Sequence, residues 1–134
     1  MKLKYKLKEA ANVGNTKLIA KLKKDYPKID LSFDKNYLLR TAVAKNNSNL
    51  VCYLLQSEDI KGISDFDNFC LKKAAKEGYC TILTSLFSSK KTIQFKNGDT
   101  DLLISLCKDY QTETTLRSCL DDKIRELFIT VEVL

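Results

Sequence analysis

Carboxylates, thiols and lysines are the side chains of this chain that could do chemistry, because its 134 residues include no histidine. The absence of an imidazole excludes Ser-His-Asp triads, Cys-His dyads and the commonest zinc sites. The carboxylate pairs Asp65/Asp67 and Asp99/Asp101 lie in predicted turns, where Asp usually closes the turn or caps a helix. The four glycines are isolated from one another, so no glycine-rich loop is available to hold a phosphate. We therefore expect a protein that is not an enzyme and has no cofactor or metal.

The thiols are expected to be packing residues. The five cysteines are an odd number, and no CxxC clip occurs among them. Cys52, Cys107 and Cys119 fall within apolar helical patterns, and a free cysteine commonly behaves as a small buried hydrophobe. Unpaired thiols indicate a reducing compartment, and we expect the cytoplasm.

The positive charge is concentrated at one end of the chain. Residues 1–28 contain nine lysines against Glu9 and Asp25, a net charge of +7, whereas the remaining 106 residues carry −1. Such a basic end could bind nucleic acid or an anionic membrane, or it could be a solvated end of the fold. The solvated end is favoured, because arginine is the residue that reads phosphates bidentately and none occurs before Arg40.

Length and composition indicate one globular domain, residues 1–134. The hydrophobic fraction is 44% and the charged fraction 30%, and four Gly with one Pro are few for a turn-rich all-β fold. No apolar run approaches the roughly 18 residues that a membrane span needs. The first eleven residues, MKLKYKLKEAA, are charged without an apolar segment behind them, so we expect no signal peptide.

The elements that must position these side chains recur with a period of 32 residues. Leucine, a pair of small residues and a turn former appear in the same register three times without a gap, at 7–14, 39–46 and 71–78. A second apolar group follows each time, at 18–22, 50–54 and 82–86, and a weaker fourth copy begins at Leu103. Spacings of three and four predict helices, and Gly or Asn accepts the left-handed conformation that ends a helix. Each unit is therefore predicted to be a short helix, a tight turn and a second helix.

These units resemble the ankyrin repeat over roughly residues 3–120. The alanine pair, the glycine and the second apolar group of the family pattern are matched in the third unit by Ala74-Ala75, Gly78, Ile82-Leu83 and Leu86. The resemblance implies an all-α, ankyrin-like helix-turn-helix solenoid of about four repeats with short β-finger loops. The repeats would span about 3–33, 34–65, 66–97 and 98–134, and Ile29-Asp30 and Ile93-Gln94 would lie in fingers. Another helical solenoid or a plain helical bundle is the alternative, and the alanine pair argues against tetratricopeptide repeats.

The chain departs from the family where the first helix begins. Asn36-Tyr37 and Asn68-Phe69 stand where the family has Thr-Pro, so we expect looser turns there. In this region the chain is similar to divergent ankyrin arrays of bacterial effectors and large DNA viruses, which would place it in a host cytosol.

The resemblance implies a non-enzymatic protein-protein interaction module, because partners of this family dock on the concave surface of fingers and first helices. Transferring the family's surface positions to this register predicts ten partner-binding residues: Phe33, Asp34, Asn36, Lys45, Asp65, Phe66, Asn68, Lys76, Glu77 and Lys108. Phe33 and Phe66 would form an aromatic anchor on neighbouring fingers, unless they pack on each other. We expect a monomer that binds a protein of unknown identity. The alternative is lysine-driven binding of nucleic acid or anionic membrane through residues 1–28.

The end units are expected to be atypical, because an end repeat has no neighbour to cover it. Lysines on residues 3–24 suit an N-terminal cap. Asp121-Asp122 are predicted to start a C-terminal cap helix, and residues 129–134 are predicted to form an extended tail.

Overall fold

The chain folds into helices joined by short turns. A computed structural model describes residues 2–133, with the side chains of residues 2–126. This range forms eight α-helices: α1 (Lys2–Asn12), α2 (Thr16–Asp25), α3 (Phe33–Ala44), α4 (Ser48–Leu55), α5 (Asp65–Glu77), α6 (Cys80–Ser88), α7 (Asp99–Leu106) and α8 (Tyr110–Val133). The all-α class predicted from the sequence is confirmed. No helix in the described part of the chain is both long and apolar enough to cross a membrane.

The helices lie in two layers of successive pairs. Each odd-numbered helix packs on the even-numbered helix that follows it. The odd helices contact one another in the order α1, α3, α5, α7, and the even helices in the order α2, α4, α6, α8. Every pair therefore touches mainly the pair before it and the pair after it.

The core runs along the plane between the two layers. The leucine and the small pair of each of the first three units are buried: Leu7, Ala10, Ala11, Leu39, Ala42, Val43, Leu71, Ala74 and Ala75. Small side chains at these positions let neighbouring odd helices approach closely. Leu103 is the buried counterpart in α7, where the small pair is missing.

Left-handed residues end the first helix of each of the first three pairs. Gly14, Asn46 and Gly78 have φ of 73°, 55° and 76°, as the sequence predicts for Asn46 and Gly78. A Cβ at Gly78 would also lie 3.0 Å from Lys108 Cδ, so this position is restricted by space as well as by φ. In the first two pairs the next residue, Asn15 or Asn47, accepts a hydrogen bond on its side chain from the start of the second helix.

Two expectations about irregular segments are wrong. The β-fingers reduce, within residues 2–133, to one parallel bridge between Gly62 and Thr92, and residues 29–30 and 93–94 form no strand. At the other end, α8 runs without interruption from Tyr110 to Val133. Asp121-Asp122 therefore lie inside a helix instead of starting one, and residues 129–133 are helical instead of extended. Residue 134 lies outside the described residues.

Candidate functional site

The structure separates the ten predicted site residues into two groups. Lys45 follows α3, Lys76 and Glu77 end α5, and Lys108 follows α7. The other six lie in two turns, residues 33–36 and 65–68, at the opposite ends of the first helices: Phe33, Asp34, Asn36, Asp65, Phe66 and Asn68. A helical stretch of about nine residues, roughly 13 Å long, separates the two groups. They cannot contact the same small part of a partner.

Each turn contains three consecutive left-handed residues. Residues 34–36 have φ between 51° and 60°, and residues 66–68 have φ between 54° and 61°. L-amino acids avoid this region at about 1–2 kcal/mol per residue, and none of these six residues is glycine. The surroundings must therefore hold both turns in place.

Buried asparagines hold the turns. Asn36 is 6% exposed, and its Nδ2 donates to Gly62 O at 2.9 Å and to Asp65 Oδ2 at 2.7 Å. Asn68 is 3% exposed, and its Nδ2 donates to Gln94 O at 2.9 Å. The Oδ1 of both side chains finds no partner among the described residues. Asn36 and Asn68 thus tie each turn to the following loop, and neither offers its amide to an outside partner.

The two phenylalanines lie in different environments. Phe33 is 7% exposed and packs in the core, whereas Phe66 is 58% exposed. The expectation that both rings face solvent is therefore wrong for Phe33. The counterpart of Phe66 in the preceding unit is Asp34, which lies one period of 32 residues earlier. Of the two phenylalanines, Phe66 is therefore the one available as an aromatic anchor at this surface.

Arg40 covers the exposed ring. Its guanidinium carbon lies 4.3 Å from the centroid of Phe66 and 5.8 Å from that of Tyr37. Its Nε donates to Lys35 O and its Nη2 to Asp34 O, both at 3.0 Å, so the guanidinium is held by the carbonyls of its own turn. Stacking of a guanidinium on an aromatic face adds an electrostatic attraction of about 0.5–1 kcal/mol at exposed sites.

Two lysines of the first helices pair with carboxylates of the turns. Lys8 Nζ lies 2.7 Å from Asp34 Oδ2, and Lys72 Nζ lies 2.9 Å from Asp67 Oδ2. The hydrogen bond from Lys8 lowers the pKa of Asp34, and the hydrogen bond from Lys72 lowers the pKa of Asp67. Both carboxyls are thus ionised and locally neutralised near pH 7.

The side chains around the two turns form one surface, which we call the turn surface. It consists of Lys4, Lys8, Asp34, Lys35, Tyr37, Arg40, Phe66, Asp67 and Lys72. Contacts between successive units hold it together, since Lys4 and Lys8 lie over Phe33 at 5.3 and 5.9 Å and Arg40 lies over Phe66. Its cations outnumber its carboxylates, so the surface carries a net positive charge.

The second group of predicted residues is more dispersed. Lys45 is exposed beside the turns that end α1 and α3, and Lys76 is exposed at the end of α5. Glu77 accepts a contact of 3.4 Å from Lys73. The Lys108 backbone N–H donates to Ala75 O at 3.0 Å. These residues share an end of the helical stack but form no common cluster among the described contacts.

Part of the basic segment has a structural role. Lys23 Nζ donates to Pro27 O at 2.8 Å, to Ile29 O at 2.6 Å and to Asp59 Oδ2 at 2.8 Å. Leu31 N donates to the same Asp59 oxygen at 3.0 Å. Burial acts to raise the pKa of Asp59, but the hydrogen bonds from Leu31 and Lys23 outweigh it and lower the pKa. Lys23 is therefore not one of the solvated lysines that the sequence suggests for this segment.

The five thiols are free. Burial raises the pKa of Cys70 to about 12, and it also raises the pKa of Cys107 and Cys119, which are partly buried. Cys52 is exposed, so the expectation that it packs in the core is wrong. Among the side chains that the structure describes, no three Cys, Asp or Glu residues are arranged to hold a metal ion.

Comparisons with protein-family models, with curated protein sequences and with solved structures found no match to this chain.

The sequence-based site prediction contains two members of the turn surface, Asp34 and Phe66. It lacks the other seven: Lys4, Lys8, Lys35, Tyr37, Arg40, Asp67 and Lys72. A signal for Arg40 was present, because it is the first arginine of the chain and occupies the position of Lys8 and Lys72 in the period of 32. Nothing in the sequence indicates that Arg40 stacks on Phe66, because this contact depends on a left-handed turn that contains no glycine.

Proposed function

We propose that this chain is an ankyrin-like repeat protein that binds a protein partner and does not catalyse a reaction. The stack of helix pairs supports this proposal, because first helices line one layer and left-handed residues close them at a common period. Such a stack presents the turns and the exposed faces of the first helices as one extended surface. We place the partner on the turn surface.

The observation that carries the proposal is the exposed Phe66 ring beneath Arg40. Arginine and aromatic residues dominate the binding energy of protein interfaces, especially where they are already held in position. Here two backbone carbonyls fix the guanidinium, and the ring stands on a turn whose backbone is tied down by Asn68. Binding would therefore require little ordering of either side chain.

A differential capture experiment tests the proposal. The immobilised chain, Phe66→Ala and Tyr26→Ala are each incubated with lysate, and the captured proteins are quantified by mass spectrometry. Tyr26 is the matched control, because it is an exposed aromatic residue at the end of α2, outside the turn surface. We expect a partner whose affinity falls about tenfold, or about 1.4 kcal/mol, with Phe66→Ala and is unchanged with Tyr26→Ala. Equal capture by all three proteins would contradict binding at this surface.

Lysine-driven binding through residues 1–28 is the second candidate. Five of the nine lysines are exposed and form neither an ion pair nor a contact with an aromatic ring among the described residues: Lys2, Lys6, Lys17, Lys24 and Lys28. This candidate predicts binding to nucleic acid or anionic vesicles that weakens steeply and linearly on a log-log plot against salt. Replacing the five lysines by Gln would abolish that binding, whereas Phe66→Ala would leave it unchanged.

A further inference from the structure

Three cationic side chains occupy equivalent positions on the first helices, and one of them has no carboxylate partner. Lys8, Arg40 and Lys72 are separated by the repeat period of 32 residues. Lys8 pairs with Asp34 and Lys72 pairs with Asp67, whereas Arg40 forms no ion pair with a described residue. At Arg40 the turn of the next unit offers Phe66 in the place where Lys8 finds Asp34. Lys8 and Lys72 are therefore each neutralised by a turn carboxylate, whereas the positive charge of Arg40 in the middle unit is not.

The free N–H groups of Arg40 suit a carboxylate. A guanidinium has five N–H donors, and two of those of Arg40 are used by Lys35 O and Asp34 O. The other three, on the Nη1 and Nη2 end, find no acceptor among the described residues. Two parallel N–H groups in a fixed plane are the arrangement that binds a carboxylate bidentately. Because both the stacking and the two carbonyls orient the plane, this end is held ready for an incoming acid.

The surroundings of Arg40 also favour an acidic ligand. Lys35 Nζ lies 5.4 Å from the Phe66 centroid and forms no ion pair among the described residues. The Asp34 carboxylate is already paired with Lys8 at 2.7 Å. A negative side chain arriving here would thus meet two cations and an exposed aromatic ring.

We propose that the partner is a protein segment that places an Asp or Glu carboxylate on the Nη1/Nη2 end of Arg40 and an apolar side chain against Phe66. This inference rests on the proposed function and adds the chemistry of the ligand. A nucleic acid fits the surface less well, since the carboxylates of Asp34 and Asp67 interrupt the row of cations that a phosphate backbone would follow. The single exposed ring of the turns is also covered by Arg40 and does not offer successive stacking platforms.

Selection from a phage-displayed library of random dodecapeptides tests this inference with the whole chain as bait. We expect enriched peptides to contain Asp or Glu near an apolar or aromatic residue. A synthetic copy of the best peptide should bind at least about tenfold more tightly than its Asn/Gln counterpart in fluorescence anisotropy. Enrichment of neutral peptides whose binding is still reduced by Phe66→Ala would overturn the inference and leave the proposed function standing.

Variants of the chain then locate the charge. Arg40→Gln should weaken the acidic peptide about tenfold, and Arg40→Lys should weaken it less, because the charge remains but the planar pair of donors is lost. Arg117→Gln is the matched control, since Arg117 pairs with Glu113 on α8 and lies outside the turn surface. Circular dichroism checks the fold of each variant. Phe66→Ala tests the site independently, because it removes the ring and leaves the hydrogen bonds of Arg40 in place.

Two results would overturn the inference at this step. One is acidic-peptide binding that is unchanged in both folded Arg40→Gln and Phe66→Ala, which would also remove the turn surface as the proposed binding site. The other is the absence of acidic-peptide binding together with Arg40-dependent binding of a fluorescein-labelled oligothymidylate, which would identify a nucleic-acid ligand instead.

Discussion

Residues 33–36 and residues 65–68 form the same left-handed turn but present different chemistry to solvent. In both, a buried asparagine ties the turn to the next loop. Two residues before that asparagine the first turn has Asp34, which neutralises Lys8, and the second has Phe66, which lies under Arg40. The comparison shows that the asparagine determines the backbone of the turn, whereas the residue two positions earlier determines what the surface can bind.

Removing the asparagines should break both turns, with a larger effect in the first. Asn36→Ala leaves Gly62 O and Asp65 Oδ2 without a donor and puts alanine at φ of 60°, which should lower the free energy of unfolding by about 3 kcal/mol. Asn68→Ala loses one hydrogen bond, to Gln94 O, and should lower the free energy of unfolding by about 2 kcal/mol. Urea denaturation monitored by circular dichroism measures both values.

Asn49→Ala is the control for these two variants. Asn49 is an exposed residue inside α4, and its replacement should change the free energy of unfolding by less than about 0.5 kcal/mol. If Asn36→Ala and Asn68→Ala also fell within that range, the asparagines would not be what holds the left-handed turns.

Converting the second turn into a copy of the first should remove binding without disturbing the fold. Phe66→Asp gives Arg40 a carboxylate at the position where Asp34 serves Lys8, and it removes the exposed ring. We expect acidic-peptide affinity to fall at least about tenfold, or about 1.4 kcal/mol, in fluorescence anisotropy, while the thermal midpoint stays close to that of the parent chain. Undiminished peptide affinity in this variant would show that the difference between the two turns has no role in binding.

The segments that lead into the two turns should respond differently to acid. The first is held by Asp59, whose lowered pKa means that its stabilisation is present above the ordinary pKa of about 3.9 and is lost as pH falls through the folded value. Residues 61–63, which lead directly into the second turn, are held without a carboxylate, by backbone hydrogen bonds with Thr92. Hydrogen-exchange protection of Leu31 should therefore drop below about pH 4, and that of Ile63 should drop less.

Asp59→Asn should reproduce the acid state at neutral pH. It removes the charge that Lys23 and Leu31 share and should lower the free energy of unfolding by about 1 kcal/mol. Asp25→Asn is the control, because the ion pair of Asp25 with Lys21 is an exposed i,i+4 pair. This replacement should lower the free energy of unfolding by a few tenths of a kcal/mol. Equal acid sensitivity at Leu31 and Ile63 in the parent chain would contradict the assignment.

The helix pairs could be predicted from the sequence because buried leucines and alanines must repeat with the period of the helices that they pack. The same register predicted left-handed Asn46 and Gly78 correctly, since few other residue types accept that conformation. The two turns could not be predicted, because nothing in Asp34-Lys35-Asn36 or its counterpart indicates three left-handed residues. The free-energy cost of that backbone conformation is offset by hydrogen bonds to loops that are distant in the sequence.

The spacing of the asparagines in the sequence distinguishes the two phenylalanines. Phe33 and Phe66 are 33 residues apart, whereas Asn36 and Asn68 are 32 apart and each precedes an aromatic residue. Aligning the asparagines places Asp34, not Phe33, opposite Phe66, and explains why one ring is buried and the other exposed. The continuous α8 also had a signal, since neither Gly nor Pro occurs after Gly98.

The stacking of Arg40 on Phe66 joins residues of two different helix pairs, α3/α4 and α5/α6. In a linear array, stability is approximately a sum of terms for each unit and for each boundary between units. A ligand that contacts both side chains adds its binding free energy to the boundary at the middle of the array. Unfolding that would otherwise proceed from the two ends independently would then become more nearly all-or-none, and the ligand would raise the cooperativity of the transition as well as its midpoint.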